Sequence, residues 1–173
     1  EADIIKTDGN YIYALSKQNV FIIKAYPGED AQIESKIAFT STPRGMYLGE
    51  DRLVIYGQSD PSFRPPGLPR YGQYTFLKVF DVSNKKSPRQ IRNLEFEGWY
   101  SNSRMVDNHV YLVANTSPYI WYDEIPVPLV LENSKPLACV ADVAEGTAGN
   151  YCPPVYYFNK PYSQYNAVTI AAL

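Results

Sequence analysis

Three adjacent carboxylate pairs offer the most obvious acid–base chemistry in this 173-residue chain: Glu29-Asp30, Glu50-Asp51 and Asp123-Glu124. Cleaving a glycosidic bond takes two carboxyls about 5 to 10 Å apart across the sugar. The first two pairs stand in glycine-flanked turns, where acids are ordinary solvated residues. Asp123-Glu124 follows Tyr119, Trp121 and Tyr122, aromatic rings suited to stacking on a sugar. A hydrolase or lyase acting on polysaccharide would place its acids there, and this is the enzymatic alternative.

Other reactive constellations are thin. Nucleophilic catalysis by a His-assisted Ser or Cys would have to use His109, the single histidine. It stands in a polar turn ahead of an apolar run, a position repeated by Asn10 and Arg52, and reads as a turn residue. Zinc needs four ligands, and His109 with Cys139 and Cys152 does not supply a zinc spacing. The two cysteines lie in one loop-rich stretch; they form a disulfide in an oxidising compartment or stand as independent thiols. The segment 81–84 lacks the acid ladder and closing Glu of a calcium loop. Pro66 and Pro69 have polyproline-ligand spacing but read as a semi-rigid insertion. Asn115-Thr116-Ser117 matches the short N-glycosylation pattern. No catalytic set, metal site or cofactor is expected.

Composition narrows the classes further. Sixteen basic against eighteen acidic side chains give a net charge of −2, a poor electrostatic footprint for DNA or RNA. No apolar run approaches the roughly 20 residues that cross a bilayer as a helix. Hydrophobic residues at 45% with charged ones at 20% argue for a folded core rather than disorder. Tyrosine is abundant, sixteen against seven Phe, as half-buried strands or binding surfaces require.

The elements that would position these residues are strands. Short runs rich in Tyr, Val, Ile and Phe occupy 11–15, 20–26, 33–39, 46–48, 53–56, 75–82, 91–96, 104–106 and 110–114, separated by Gly, Pro, Asn and Asp turns. Proline ahead of 137–145 and glycine after it predict one short helix over 136–145. Three segments repeat a polar turn before a dense apolar strand, beginning at Asp8, Glu50 and Asp107. Ile22 against Val79, and Ile37 against Leu94, repeat at an offset of 57. A unit near 42 residues with about four strands is the size of a propeller blade. The expected fold is all-β, with β-propeller-like blades of about four antiparallel strands near 1–45, 46–104 and 105–173. Insertions are expected near 59–73 and 115–154. The last run, 168–173, aligns with Ile22 and Val79 as the second strand of a third blade. Two to three blades cannot close a ring, so the chain is expected to be part of a longer protein and to self-associate through open blade edges.

The opening residues 3–13 resemble those of a prokaryotic family of secreted β-propeller proteins distantly related to WD40 repeats. Residues 78–83 with Pro88 are similar to that family's second-blade strand and turn, and 103–106 with 110–113 to the next. The resemblance implies a secreted or cell-surface location and brings no catalytic motif. A non-enzymatic domain that binds a protein or glycan is the function expected, with Trp99, Tyr100, Tyr119, Trp121 and Tyr122 as binding residues. Of these, Trp99 and Tyr100 have a second role open to them, packing between blades.

Overall fold

A computed structural model of the chain describes residues 1–60, 62, 72–117, 128–137 and 166–173. Among them the architecture is three antiparallel sheets packed face to face. The first holds β1 (Ile5–Thr7), β2 (Tyr11–Ser16), β3 (Asn19–Lys24) and β4 (Gln32–Ala38) in chain order. The second is built on β5 (Thr42–Leu48), β6 (Arg52–Ser59), β7 (Tyr74–Asp81) and β8 (Arg89–Glu97), again a simple meander. The third joins β9 (Trp99–Val106) and β10 (His109–Thr116) to β13 (Ala167–Ala172). The small hairpin of β11 (Val130–Glu132) and β12 (Lys135–Pro136) belongs by sequence to the third sheet's long connection. It is nevertheless bonded to the outer edge of β8, giving the second sheet six strands. A single 3-10 turn, Gly28–Asp30, is the one helical segment described, and no described helix is long and apolar enough to cross a membrane.

Two cores explain why the middle strands carry unbroken apolar runs. A strand covered on both faces has no solvent side, so its sequence loses the period of two. Along β6, Leu53 and Ile55 face the first sheet, while Val54 and Tyr56 face the third. Phe76 and Phe80 of β7 join Tyr13, Val20 and Ile22 in the first core. Leu77 joins Val110, Leu112 and Ala114 in the second. In β10 the buried residues alternate with exposed ones, because only one face of the third sheet is covered.

The repeat is exact in register. Val20 pairs with Ile37 in the first sheet and Leu77 with Leu94 in the second, both steps of 57 residues. A bulge interrupts the pairing after Ile22 and after Val79, at the same place in both sheets. On the turn side the equivalence is Asp8 with Gly49, since each N–H bonds to the carbonyl three residues on, Tyr11 and Arg52. The sequence alignment of Asp8 with Glu50 is therefore one residue out. β13 matches β3 and β7 as expected, but as the third strand of its sheet. The polar strand start at 99–103 and the short β1 had hidden the first position.

The expected helix over 136–145 is corrected at its start. Asn133 and Ser134 both take positive φ, the geometry of a tight two-residue hairpin turn. The chain doubles back, and Pro136 lies opposite Leu131 as strand. A residue without an N–H suits an outer edge. Residues 138–145 lie outside the described part of the chain. The link between second and third sheets is a single residue, Gly98, at φ +118. A Cβ there would run into the Asn115 carbonyl and the Thr116 hydroxyl. Its own N–H donates to Gln73 (2.8 Å) and its carbonyl accepts from the buried Thr75 hydroxyl (3.0 Å).

Candidate functional site

A meander sends its connections alternately to two ends of the sheets, and the two ends are built differently. One end carries the short turns 8–10, 49–51, 82–88 and 107–108. The other carries the long excursions 60–73 and 117–166.

The short-turn end is a charged clasp. Asp8 accepts N–H bonds from Asn10 (3.1 Å) and Tyr11 (2.8 Å) through Oδ1, and the Tyr13 hydroxyl (3.1 Å) through Oδ2. Lys85, from the β7–β8 turn of the second sheet, reaches across to it. Its Nζ lies 3.6 Å from Asp8 and 4.0 Å from Asp51, with the rings of Tyr11 and Tyr13 each 5.8 Å away. The Lys85 carbonyl takes a hydroxyl bond from Ser35 (2.6 Å) of the first sheet. Burial alone would push the Asp8 carboxyl up, but the two N–H bonds, the Tyr13 hydroxyl and the Lys85 charge hold it below the ordinary carboxylate value. Burial, and then the Asp8 charge, push the Tyr13 phenol well above its usual range. Beside the clasp, Asp81 accepts from the hydroxyl and N–H of Ser83 and pairs with Arg52 (3.4 Å) and Arg89 (3.7 Å). A cavity of about 330 Å³ between the turns is lined by Glu50, Asp51, Arg52, Met105 and Asn108 among others. Asp8 with Lys85, and Asp81 with Arg52 and Arg89, pair with one another, and the Lys85 contacts with Asp8 and Ser35 tie the first sheet to the second. No group of three or more metal-ligating side chains occurs among the described residues.

The long-excursion end is anchored on one strand. Glu95 of β8, 5% exposed, accepts the backbone N–H of Ser62 (2.9 Å) from the first excursion and an amide N–H of Asn93 (3.2 Å). Two residues on, and so on the same face, Glu97 accepts the backbone N–H of Leu129 (2.8 Å) from the second. The second excursion is also tied by β11 along β8, by Arg92 to Glu132 (2.7 Å), and at its base by the Ser117 hydroxyl to Asn166 (2.9 Å). Sequence reasoning missed both acids; an acid inside the apolar run 94–96 was the signal that could have found Glu95, since a buried carboxylate must be paired. Nothing in the sequence pattern, by contrast, names the partners of Lys85.

Of the binding residues expected from sequence, Trp99 opens β9 at the long-excursion end, opposite Asn115 and 50% exposed. Tyr100 points the other way: its ring stacks on Tyr56 at 4.7 Å and its hydroxyl meets Ser103 (3.0 Å). Tyr47 reaches the same Ser103 hydroxyl (2.7 Å), and burial raises the Tyr47 and Tyr56 phenols. His109 opens β10, exposed, opposite Val106. Tyr119, Trp121, Tyr122, Asp123, Glu124, Cys139 and Cys152 lie outside the described residues.

The model of the beta propeller domain family matches residues 1–173. The chain belongs to that family. Its three sheets are blades, the clasp joins the first to the second, and the second excursion ties the third to the second. A Methanocaldococcus jannaschii protein described as uncharacterized, MJ1554, is 27% identical over 138 residues. The match covers 74% of this chain and 19% of that protein's length. No solved structure matches the chain.

Proposed function

We propose that this propeller segment is a non-enzymatic interaction scaffold, secreted or held at the cell surface, that presents its two excursions to a protein or glycan. The observation that carries the proposal is their placement. Both leave between the second and third strands of neighbouring blades, emerge at the same end, and are pinned by Glu95 and Glu97 of one strand. Loops held on a rigid scaffold are where binding residues concentrate. Trp99 stands exposed at that end, and Tyr119, Trp121 and Tyr122 belong to the second excursion. Tyr100, stacked behind on Tyr56, fixes the strand that carries Trp99. The secreted location rests on the resemblance of residues 3–13 and 78–83 to secreted propeller proteins. The open blades also make association with further sheets part of this proposal.

The test is an array of neutral, amino and acidic oligosaccharides, with a cell-surface protein extract in parallel. The expected result is a ligand whose binding falls at least tenfold in Trp99→Ala and Trp121→Ala, and persists in Asp123→Asn with Glu124→Gln. A blank in every arm removes the support for an interaction role. Oligosaccharide cleavage that the double acid substitution abolishes replaces the scaffold with an enzyme.

A further inference from the structure

Lys78 of β7 carries its amine into the aromatic layer between the first and second blades. Its Nζ lies 5.5 Å from the ring centre of Phe39, in the first blade, and 5.2 Å from that of Phe76 on its own strand. Both rings are buried, and they stack on each other at 6.1 Å. A lysine among apolar rings is ordinarily paired with a carboxylate. Among the described residues, none lies within ion-pair distance of this one. Burial pushes the amine below its ordinary value, and the Glu95 charge, farther off, offsets that only in part. An amine desolvated in this way is a nucleophile.

The register supplies an electrophile. Lys78 pairs with Asn93 across the β7–β8 ladder, and Phe76 pairs with Glu95 in the next row of the same face. The bulge in that ladder comes after Val79 and leaves both rows intact. Side chains directly opposite have Cβ atoms about 4.5–5.5 Å apart, so the lysine stem can bring Nζ to the Asn93 amide by rotamer change alone. Asn93 Nδ2 donates to Glu95 Oε1 (3.2 Å), while Oδ1 is buried with no partner among the described residues. Buried polar atoms of structural side chains are nearly always bonded, so that oxygen calls for an explanation. Glu95 is 5% exposed, and the Ser62 N–H holds its other oxygen (2.9 Å).

We propose that Lys78 and Asn93 join through their side chains in an isopeptide bond, with Glu95 carrying the protons. The Glu95 carboxylate takes a proton from the Lys78 ammonium, and the freed lone pair attacks Asn93 Cγ. The Cγ–Nδ2 bond then breaks. Two protons in all pass from Nζ to Nδ2 through Glu95, and the amide nitrogen leaves as ammonium. One C–N bond forms and one breaks, and nothing is oxidised or reduced. The product leaves no lysine charge among the rings of Phe39 and Phe76. It clamps β7 to β8, the strand that pins both excursions, and does not depend on what the excursions bind.

The test is a tryptic digest of the denatured protein, read by mass spectrometry. Residues 71–85 are expected to remain joined to 93–104, uncut after Lys78 and lighter by one ammonia than the two peptides summed. Lys78→Arg is expected to give the same segments cut at position 78 and unlinked, with an unchanged circular dichroism spectrum. Glu95→Gln should leave the peptides unlinked when the wild type is fully joined. Should that variant lose its spectrum, Glu95→Asp takes its place and should link more slowly. A wild-type digest that returns linear peptides cut after Lys78 overturns the proposal and leaves Lys78 a packing residue. Ammonia loss from 93–104 that persists in Lys78→Arg overturns it in favour of Asn93 closing on its own backbone. Linking at the wild-type rate without the Glu95 carboxylate overturns the proton route.

Discussion

Lys85 is expected to hold the first blade on the second, and Lys85→Met removes its charge while keeping most of its stem. Two contributions are lost. The pair with Asp8 at 3.6 Å joins side chains 15% and 25% exposed, so it is screened only in part and is worth about 0.5–1 kcal/mol. The two tyrosine rings at 5.8 Å add about 0.5–1 kcal/mol together. Asp51 is more exposed and 4.0 Å away, and adds little. The Ser35 bond goes to the Lys85 carbonyl and survives, as do the N–H and hydroxyl bonds to Asp8. The expected cost is about 1–2 kcal/mol in urea unfolding at pH 7, low salt and one fixed protein concentration. Lys86→Met, at a side chain far more exposed, is the control and is expected to stay within about 0.5 kcal/mol. A cycle with Asp8→Asn should return about 0.5–1 kcal/mol of coupling. Lys85→Met indistinguishable from Lys86→Met, with no coupling, would refute the clasp.

Acid should open the same clasp: the Asp8 carboxyl is held below its ordinary 3.8, so its stabilisation is present above that pH and is lost as pH falls through the lower folded value. Unfolding midpoints taken from pH 6 to pH 2 should drop less in Asp8→Asn than in the wild type. Leu112→Ala empties a fully buried site between second and third blades and should cost about 2–5 kcal/mol by thermal or urea unfolding. Gly98→Ala forces a side chain into the Asn115 carbonyl at positive φ and should cost at least ~2 kcal/mol, seen as a lost or lowered melting transition. Glu95→Gln exchanges a charged acceptor for a neutral one and should cost about 1–2 kcal/mol, with limited proteolysis near Ser62 accelerated while cutting elsewhere is unchanged.

The all-β fold and the 57-residue repeat were legible because they are consequences of burial. Ile22 and Val79, or Ile37 and Leu94, are apolar at fixed spacing since each must fill an inter-blade core. The bulge that recurs after Ile22 and after Val79 was not legible, because the bypassed residues, Glu34 and Ile91, share no chemistry. Trp99–Val106 was recognised only at its end, for Ser101, Asn102 and Ser103 lack the apolar alternation of a half-buried strand. The hairpin at β11 and β12 was missed for a different reason. Its strands are three and two residues long, too short for a period, and they pair with β8, more than thirty residues back. For the candidate site, Trp99 and the position of both excursions came from sequence, while Lys85 and the anchoring role of Glu95 and Glu97 came only from packing. A charged residue's sequence neighbours do not determine which blade it reaches.

The hairpin changes what the second excursion is. A loop free at both ends would be ordered only on binding, and the ordering entropy would be subtracted from affinity. Here the excursion departs from the third blade, pairs along the second at Val130, Leu131 and Glu132, and turns back at Asn133 and Ser134. Leu129 and Leu131 are buried with Tyr74, so the strap has a core of its own. Pro136 then ends the added edge, where an unpaired strand would invite a further chain. The excursion therefore couples two blades, and the span of sequence before Leu129 is tied to β8 at its far end. Tyr119, Trp121 and Tyr122 lie in that span between the last residue of β10 and the hairpin. Cutting the tie with Leu131→Asp should weaken any ligand that uses those aromatics more than it weakens the blade cores. Equal losses in binding and in global stability would instead mean that the strap is structural and the ligand lies elsewhere.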